Sequence, residues 1–116
     1  MKILMVINSS AYGLDSTFNA LRLLESLAKK ENVEVTAFLM GDGVTDAINN
    51  QITPDGFYKL DRMLTIAMHH GAQVLCCGTC IDARGITEQM LVKGATRSTL
   101  SALTDLTVES DKVLVF

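Results

Sequence analysis

The sequence predicts an α/β fold built on a mostly parallel sheet. Short apolar runs rich in Val and Ile alternate with stretches whose apolar residues recur at helical spacing, the pattern of strands joined by helical crossovers. Hydrophobic residues make up 48% of the chain and charged residues 20%, which excludes intrinsic disorder. With 116 residues and no linker-like stretch or internal repeat, residues 1–116 read as a single domain able to bury a core without disulfide staples.

Ile3 to Ile7 is a continuous apolar run, which suits a parallel strand covered on both faces. Asn8 to Gly13 is the loop after it, and Asp15 or Ser16 is placed to cap a helix. Ala20, Leu23, Leu24, Leu27 and Ala28 then share one apolar face. That helix should end near Lys30, where Lys29 and Lys30 complement its negative pole. Val33 to Met40 reads as a second strand, stopping at Gly41-Asp42-Gly43. Val44 to Asn50 reads as a short helix with Asp42 as its cap.

Thr53-Pro54-Asp55-Gly56 is a loop carrying start signals for the next helix. In that helix Leu60, Met63, Leu64, Ala67 and Met68 share a face, and Gly71 stands at the C′ position. Gln73 to Cys77 is a third strand, and Cys77 to Gly85 a turn with room for one helical turn. Met90 to Val92 reads as a short strand. Thr96 or Ser98 caps a last helix with Ala102, Leu103 and Leu106 inward, and Lys112 to Phe116 is a terminal strand.

In open parallel sheets, ligands and catalytic groups gather beyond the carboxyl ends of the strands. Three loops lie there: Asn8 to Gly13, Gly41 to Gly43, and Cys77 to Gly85. The last one carries most chemistry. Cys76 and Cys77 are consecutive strand residues, so they point to opposite faces. Cys76 reads as a buried core thiol. Cys77 falls where the strand ends, and free N–H groups of a helical turn there would favour its thiolate. Arg84 is close enough in sequence to add positive charge, which would make Cys77 a usable nucleophile. Cys80 completes a Cys-x-x-Cys spacing, which permits a reversible disulfide or the hand-off of a sulfur atom.

Other chemistries find less support. A net charge of -3 without a Lys/Arg cluster argues against nucleic acid. No apolar run is long enough to span a membrane, and Asn8-Ser9-Ser10 does not resemble a signal cleavage site, so cytoplasm is the expectation. Three cysteines, an odd count, fit reduced thiols. Zinc would draw on Cys77, Cys80 and His69 or His70, but no second ligand pair has standard spacing; no metal is expected. His69 and His70 read as a helix end or a subunit contact. The Asn8 to Gly13 loop precedes a helix, yet it lacks the glycine pattern of a dinucleotide or P-loop site, and no cofactor is expected. Tyr12 either anchors its loop or lines a pocket beside Cys77.

Several ordered motifs together resemble a known family. They are Ala11-Tyr12-Gly13, Phe18-Asn19 with Leu21-Arg22-Leu23, and Phe38-Leu39-Met40-Gly41-Asp42-Gly43-Val44-Thr45. Cys77-Gly78-Thr79-Cys80 with Asp82 and Arg84-Gly85-Ile86 follows, then Ser110-Asp111-Lys112-Val113-Leu114 and Phe116. Over nearly its whole length the chain resembles the DsrE/DsrF-like proteins, most closely their YchN-like branch. The resemblance implies a three-layer α/β/α sandwich around a mainly parallel, five-stranded sheet, and homo-oligomers, commonly trimers or hexamers. Relatives act in sulfur relays and carry sulfur as a persulfide on a cysteine in the loop before Arg-Gly. Counting back from Arg84-Gly85, Cys77 takes that position, and Cys80 is a further cysteine of the YchN-like branch.

The expected site thus has Cys77 and Cys80 as working thiols, with Tyr12, Gly13, Asp42, Thr79, Asp82, Arg84 and Gly85 as binding residues. The expected function is a cytoplasmic sulfur relay served by donor and acceptor proteins, a sulfur carrier or sulfurtransferase. Two alternatives remain: a non-catalytic oligomer binding a small anion or partner, and a Cys-x-x-Cys redox protein.

Overall fold

The apolar run at the start of the chain becomes β1, Lys2–Ile7, in which Leu4, Met5 and Ile7 are wholly buried. The computed structural model describes residues 1–55 and 58–116. After β1 come α1 (Asp15–Ala28), β2 (Glu34–Leu39), a 3-10 helix over Gly41–Ala47 and α2 (Leu60–His69). Then follow β3 (Gln73–Cys77), α3 (Gly78–Ala83), a 3-10 turn over Glu88–Met90, β4 (Thr96–Ser98), α4 (Leu100–Glu109) and β5 (Lys112–Val115). The strands form one five-stranded sheet in the order β4-β3-β2-β1-β5, parallel at every pairing.

This order fixes the layers. The steps from β1 to β2 and from β2 to β3 run the same way across the sheet, so right-handed crossovers put α1 and α2 on one face, where they pack together. The connection from β4 to β5 returns across the whole sheet and puts α4 on the opposite face, against β1. The result is the expected three-layer α/β/α sandwich.

Side chains alternate between the two faces. Ile3, Met5, Ile7, Val35, Ala37, Leu39, Val74 and Cys76 lie in register on the α1/α2 face and are all buried. Leu21, Leu24, Leu60 and Leu64 of the covering helices are wholly buried as well. Each leucine contributes about 1.5–3 kcal/mol by leaving water. The other face is covered less completely, because one ten-residue helix cannot cover five strands. Phe38, Leu75 and Cys77 are buried there, but Val113 and Val115 on the edge strand β5 are 40% and 68% exposed.

Some local expectations need correction. α1 begins at Asp15 with Leu14 in the cap position, so neither Asp15 nor Ser16 caps it; Ser16 instead pairs with Ser9 at 3.1 Å. Its buried stripe runs through Thr17, Ala20, Leu21 and Leu24, whereas Leu23 is 37% exposed. The short helix after β2 is of 3-10 type, starts at Gly41 and ends at Ala47, so Asp42 sits inside its first turn and is not its cap. α2 starts only at Leu60, and Gly56 of the expected start loop lies outside the described residues. Met90 to Val92 is not a strand: Leu91 makes an isolated antiparallel bridge to Ile48. The strand beside β3 is Thr96–Ser98 instead, and Thr99 caps α4 by accepting from the Ala102 N–H at 3.1 Å.

Other expectations hold. β3 has the expected bounds. Gly71 closes α2 at φ +105°, with its N–H on the Met68 carbonyl and that of Ala72 on the Ala67 carbonyl, both at 3.0 Å. That pair of bonds is a Schellman stop. Ala102, Leu103 and Leu106 form the inner face of α4, each half-buried.

Candidate functional site

The site begins with β3, which delivers two adjacent thiols to opposite faces. Cys76 is wholly buried among the apolar side chains under α1 and α2. Burial pushes its thiol up to about 12, and the neighbouring Asp46 and Cys77 add to the effect. It is inert as a nucleophile at neutral pH.

Cys77 is the last residue of β3 and the cap position of α3. Burial opposes its ionisation, but the donors around the sulfur outweigh burial. These are the Cys80 thiol, the Thr79 hydroxyl at 3.3 Å, and the backbone N–H groups of Cys80 and Thr79, and the Cys77 thiol is held below the ordinary cysteine range. Cys80 moves the opposite way. Burial, its hydrogen bond to Cys77 and the Cys77 charge raise it, against the Gly41 N–H at 3.1 Å and the Arg84 charge. The two thiols of the Cys-x-x-Cys segment are therefore unequal: Cys77 is the more readily ionised and Cys80 the less.

Cys77 opens onto a cavity of 340 Å³, walled by Phe38 and Met40 on the β2 side and by Arg97, Thr99 and Leu100 on the β4–α4 side. Arg84 does not line it. Arg84 donates from Nε and Nη2 to Asp42 Oδ1 at 3.2 and 2.8 Å, and from Nη1 to the Cys80 carbonyl at 3.0 Å. It thus ties the 3-10 helix after β2 to α3 on the Cys80 side. The cation that walls the Cys77 cavity is Arg97, whose guanidinium makes a two-pronged pair with Asp82 at 2.6 and 2.7 Å. Gly85, at φ +65°, ends α3, with its N–H on the Asp82 carbonyl at 3.1 Å.

The sequence model of the DsrE/DsrF-like family matches residues 1–116. The chain belongs to the DsrE/DsrF-like family. It is 40% identical over 116 residues to protein YchN of Escherichia coli (strain K12), covering 99% of this chain and 98% of that one. The crystal structure of the E. coli ychN protein matches it with a TM-score of 0.92 over 99% of this chain and 98% of the other. A sulfurtransferase TusD homolog of Vibrio vulnificus (strain YJ016) is 23% identical over 128 residues, covering all of this chain and 98% of its own.

In this DsrE/DsrF-like chain, the expected site residues do not all converge. Cys77, Cys80 and Thr79 line one cavity, Asp82 braces its Arg97 wall, and Asp42, Arg84 and Gly85 surround α3 behind Cys80. Tyr12 and Gly13 lie elsewhere, in a separate cavity of 280 Å³ with Ile52, Pro54 and Tyr58. The Tyr12 hydroxyl donates to Gln51 Oε1 at 2.8 Å and its ring stacks on Tyr58, so of the two roles open to it, Tyr12 takes that of loop anchor. His69 ends α2 and His70 follows as its cap residue.

Sequence reasoning missed Arg97. It lies twenty positions beyond Cys77 in a polar segment, and only the register of β4 with β3, with Ser98 level with Cys77, brings it to the site. Asp46 was missed as well. It is wholly buried, neither carboxylate oxygen has a hydrogen-bond partner, and burial pushes its carboxyl up to about 8.

Proposed function

We propose that this protein is a sulfur-relay protein carrying sulfane sulfur as a persulfide on Cys77. The observation that carries this reading is the Cys77 sulfur opening onto a cavity beside the Thr79 hydroxyl at 3.3 Å, with its thiol held below the ordinary cysteine range by hydrogen bonds from Cys80 and Thr79 in spite of burial. Family membership and the likeness to TusD homologs, which bear the name sulfurtransferase, support it.

The chemistry needs no external oxidant. The Cys77 thiolate attacks the outer sulfur of a donor persulfide; the new Cys77 S–S bond forms as the donor S–S bond breaks, and the donor leaves as a thiolate. An acceptor thiolate then attacks the same outer sulfur and returns Cys77 to its thiolate. Cys80 gives this route a limit. As a thiolate it would attack the inner sulfur, form a Cys77–Cys80 disulfide and release hydrosulfide. Its raised pKa keeps it protonated, which favours carriage over that side reaction.

The site works between a donor and an acceptor protein, in a homo-oligomer, trimer or hexamer, and in the reducing cytoplasm, where its thiols stay free. Exposed Leu100, Val108, Val113 and Val115 on α4 and β5 support assembly through that face. No helix among the described residues is long and apolar enough to cross a membrane. A second reading, dithiol redox chemistry, is favoured by the Cys80–Cys77 hydrogen bond.

Incubation with a low-molecular-weight persulfide followed by intact mass tests the proposal. Wild type should gain one sulfur atom that an added thiol removes, and Cys77→Ser should gain none. Equal loading of Cys77→Ser would refute it. Loss of two hydrogens in a parallel incubation with oxidised glutathione and no persulfide, beside no sulfur gain from the persulfide, would favour the redox reading.

A further inference from the structure

We infer that Arg97 is the positioning cation of the Cys77 site, its guanidinium seated on Gly78 and clamped by Asp82 so that its charge faces the sulfur anion, and that position 78 is glycine in order to admit it. The part of this inference that concerns a bound persulfide rests on the sulfur-carrier reading; the part that concerns the thiolate does not.

The geometry is specific. In the sheet register Arg97 is level with Cys76 and Ser98 with Cys77, so Arg97 stands one residue before the site on the neighbouring strand. Its side chain reaches over the start of α3. A Cβ built on Gly78 would lie 2.8 Å from Arg97 Cζ and Nε and 3.0 Å from Nη2. The guanidinium thus lies flat on the backbone of the residue that follows Cys77, in space any other side chain would fill. The two prongs to Asp82, one turn further along α3, fix its orientation.

The pair is polar across the site. Arg97 lines the Cys77 cavity and Asp82 does not, so the cationic end faces in and the anionic end faces out. The Cys77 charge adds to the forces holding the guanidinium protonated, as the smallest of them, after Asp82 and Glu88. A persulfide on Cys77 carries its charge on the outer sulfur, in the same cavity.

The titratable and charged neighbours of Cys77 among the described residues are these. Cys76 adjoins it on β3, Cys80 donates from α3, and Asp46 acts from the Cys76 side. Arg84, paired with Asp42, acts on Cys80, and Glu88 acts on Arg97. Arg97 is the cation among them that lines the cavity.

The test is the pH dependence of Cys77 alkylation by iodoacetamide, resolved by site with mass spectrometry. It uses the full chain carrying Arg97→Met, Arg97→Lys, Gly78→Ala or both Gly78→Ala and Arg97→Met, with circular dichroism to confirm folding. Arg97→Met should slow Cys77 alkylation at neutral pH by roughly three- to tenfold and move the half-rate upward in pH, as expected for loss of a partly exposed cation. Arg97→Lys should restore most of the rate. Gly78→Ala should slow alkylation similarly, because the methyl displaces only the far end of a flexible side chain, and it should add nothing to Arg97→Met. Added salt should slow the wild type and leave Arg97→Met unmoved.

A folded Arg97→Met with the wild-type profile would overturn the inference. If Arg97→Met does not fold, a wild-type profile in Gly78→Ala overturns it and a shifted one sustains it. Persulfide loading of the same proteins separates the two readings. A wild type that never loads, beside a slowed Arg97→Met, defeats sulfur carriage and leaves Arg97 in its role. Normal loading beside an unslowed Arg97→Met defeats the role of Arg97 alone.

Discussion

The Cys80 thiol donates to the Cys77 sulfur while the Gly41 N–H, 3.1 Å away, donates to Cys80. The loop after β2 thereby feeds a hydrogen-bond chain that ends on the candidate nucleophile. Cys80→Ala breaks that chain. A hydrogen bond to a charged group is worth about 1.5 kcal/mol, so Cys77 alkylation at neutral pH should slow roughly tenfold. Cys80→Ser keeps a donor and should retain most of the rate. An unchanged rate in Cys80→Ala would remove Cys80 from the description of the site.

Asp46 makes stability depend on pH in a direction opposite to most carboxylates. Its folded pKa is raised to about 8 by burial, from an ordinary value of 3.8. Below the ordinary value both folded and unfolded states are protonated. As pH climbs from about 4 to about 8 the unfolded chain ionises while the native one stays neutral, so stability falls through that window and levels off above it. Asp82 and Glu25, held low first of all by hydrogen bonds from Arg97 and Lys29, lose their contribution only toward more acidic pH. Thermal melts between pH 5 and pH 8 should show a falling Tm in wild type and a flatter one in Asp46→Asn. Parallel slopes would contradict the assignment.

Leu23 and Leu24 separate what the sequence pattern shows from what the packing decides. Both fit an apolar helical face, yet Leu24 is wholly buried and Leu23 is 37% exposed. Leu24→Ala should cost about 2–5 kcal/mol in chemical denaturation and Leu23→Ala less than about 1 kcal/mol. Comparable costs would mean that α1 is rotated from its described position.

The same contrast explains how much was legible beforehand. β1 and β3 are central strands, apolar without a break after their first residues Lys2 and Gln73, so they stand out in the sequence. β4 is a three-residue edge strand of Thr96, Arg97 and Ser98, two of them exposed, and carries no apolar signal. Leu91 and Val92 nearby are buried and apolar, and drew the strand expectation to themselves, although they pack as loop residues. Thr96, Ser98 and Thr99 offer the same capping hydroxyl, and only the strand pairing determines which of them is free to cap α4. The thiols were readable because strand alternation and the Cys-x-x-Cys spacing are local. Arg97 was not, because its place depends on a cross-strand register between segments twenty residues apart. Arg84, nearer in sequence, is occupied by Asp42.

The central claim turns on which sulfur atom holds the cargo. Site-resolved mass mapping of the protein after exposure to a persulfide donor measures this directly. The account predicts one added sulfur on Cys77, with none on Cys76 or Cys80, and its removal by an acceptor thiol. Added sulfur on Cys80 with Cys77 unmodified, or no addition at any cysteine of the folded protein, would contradict it.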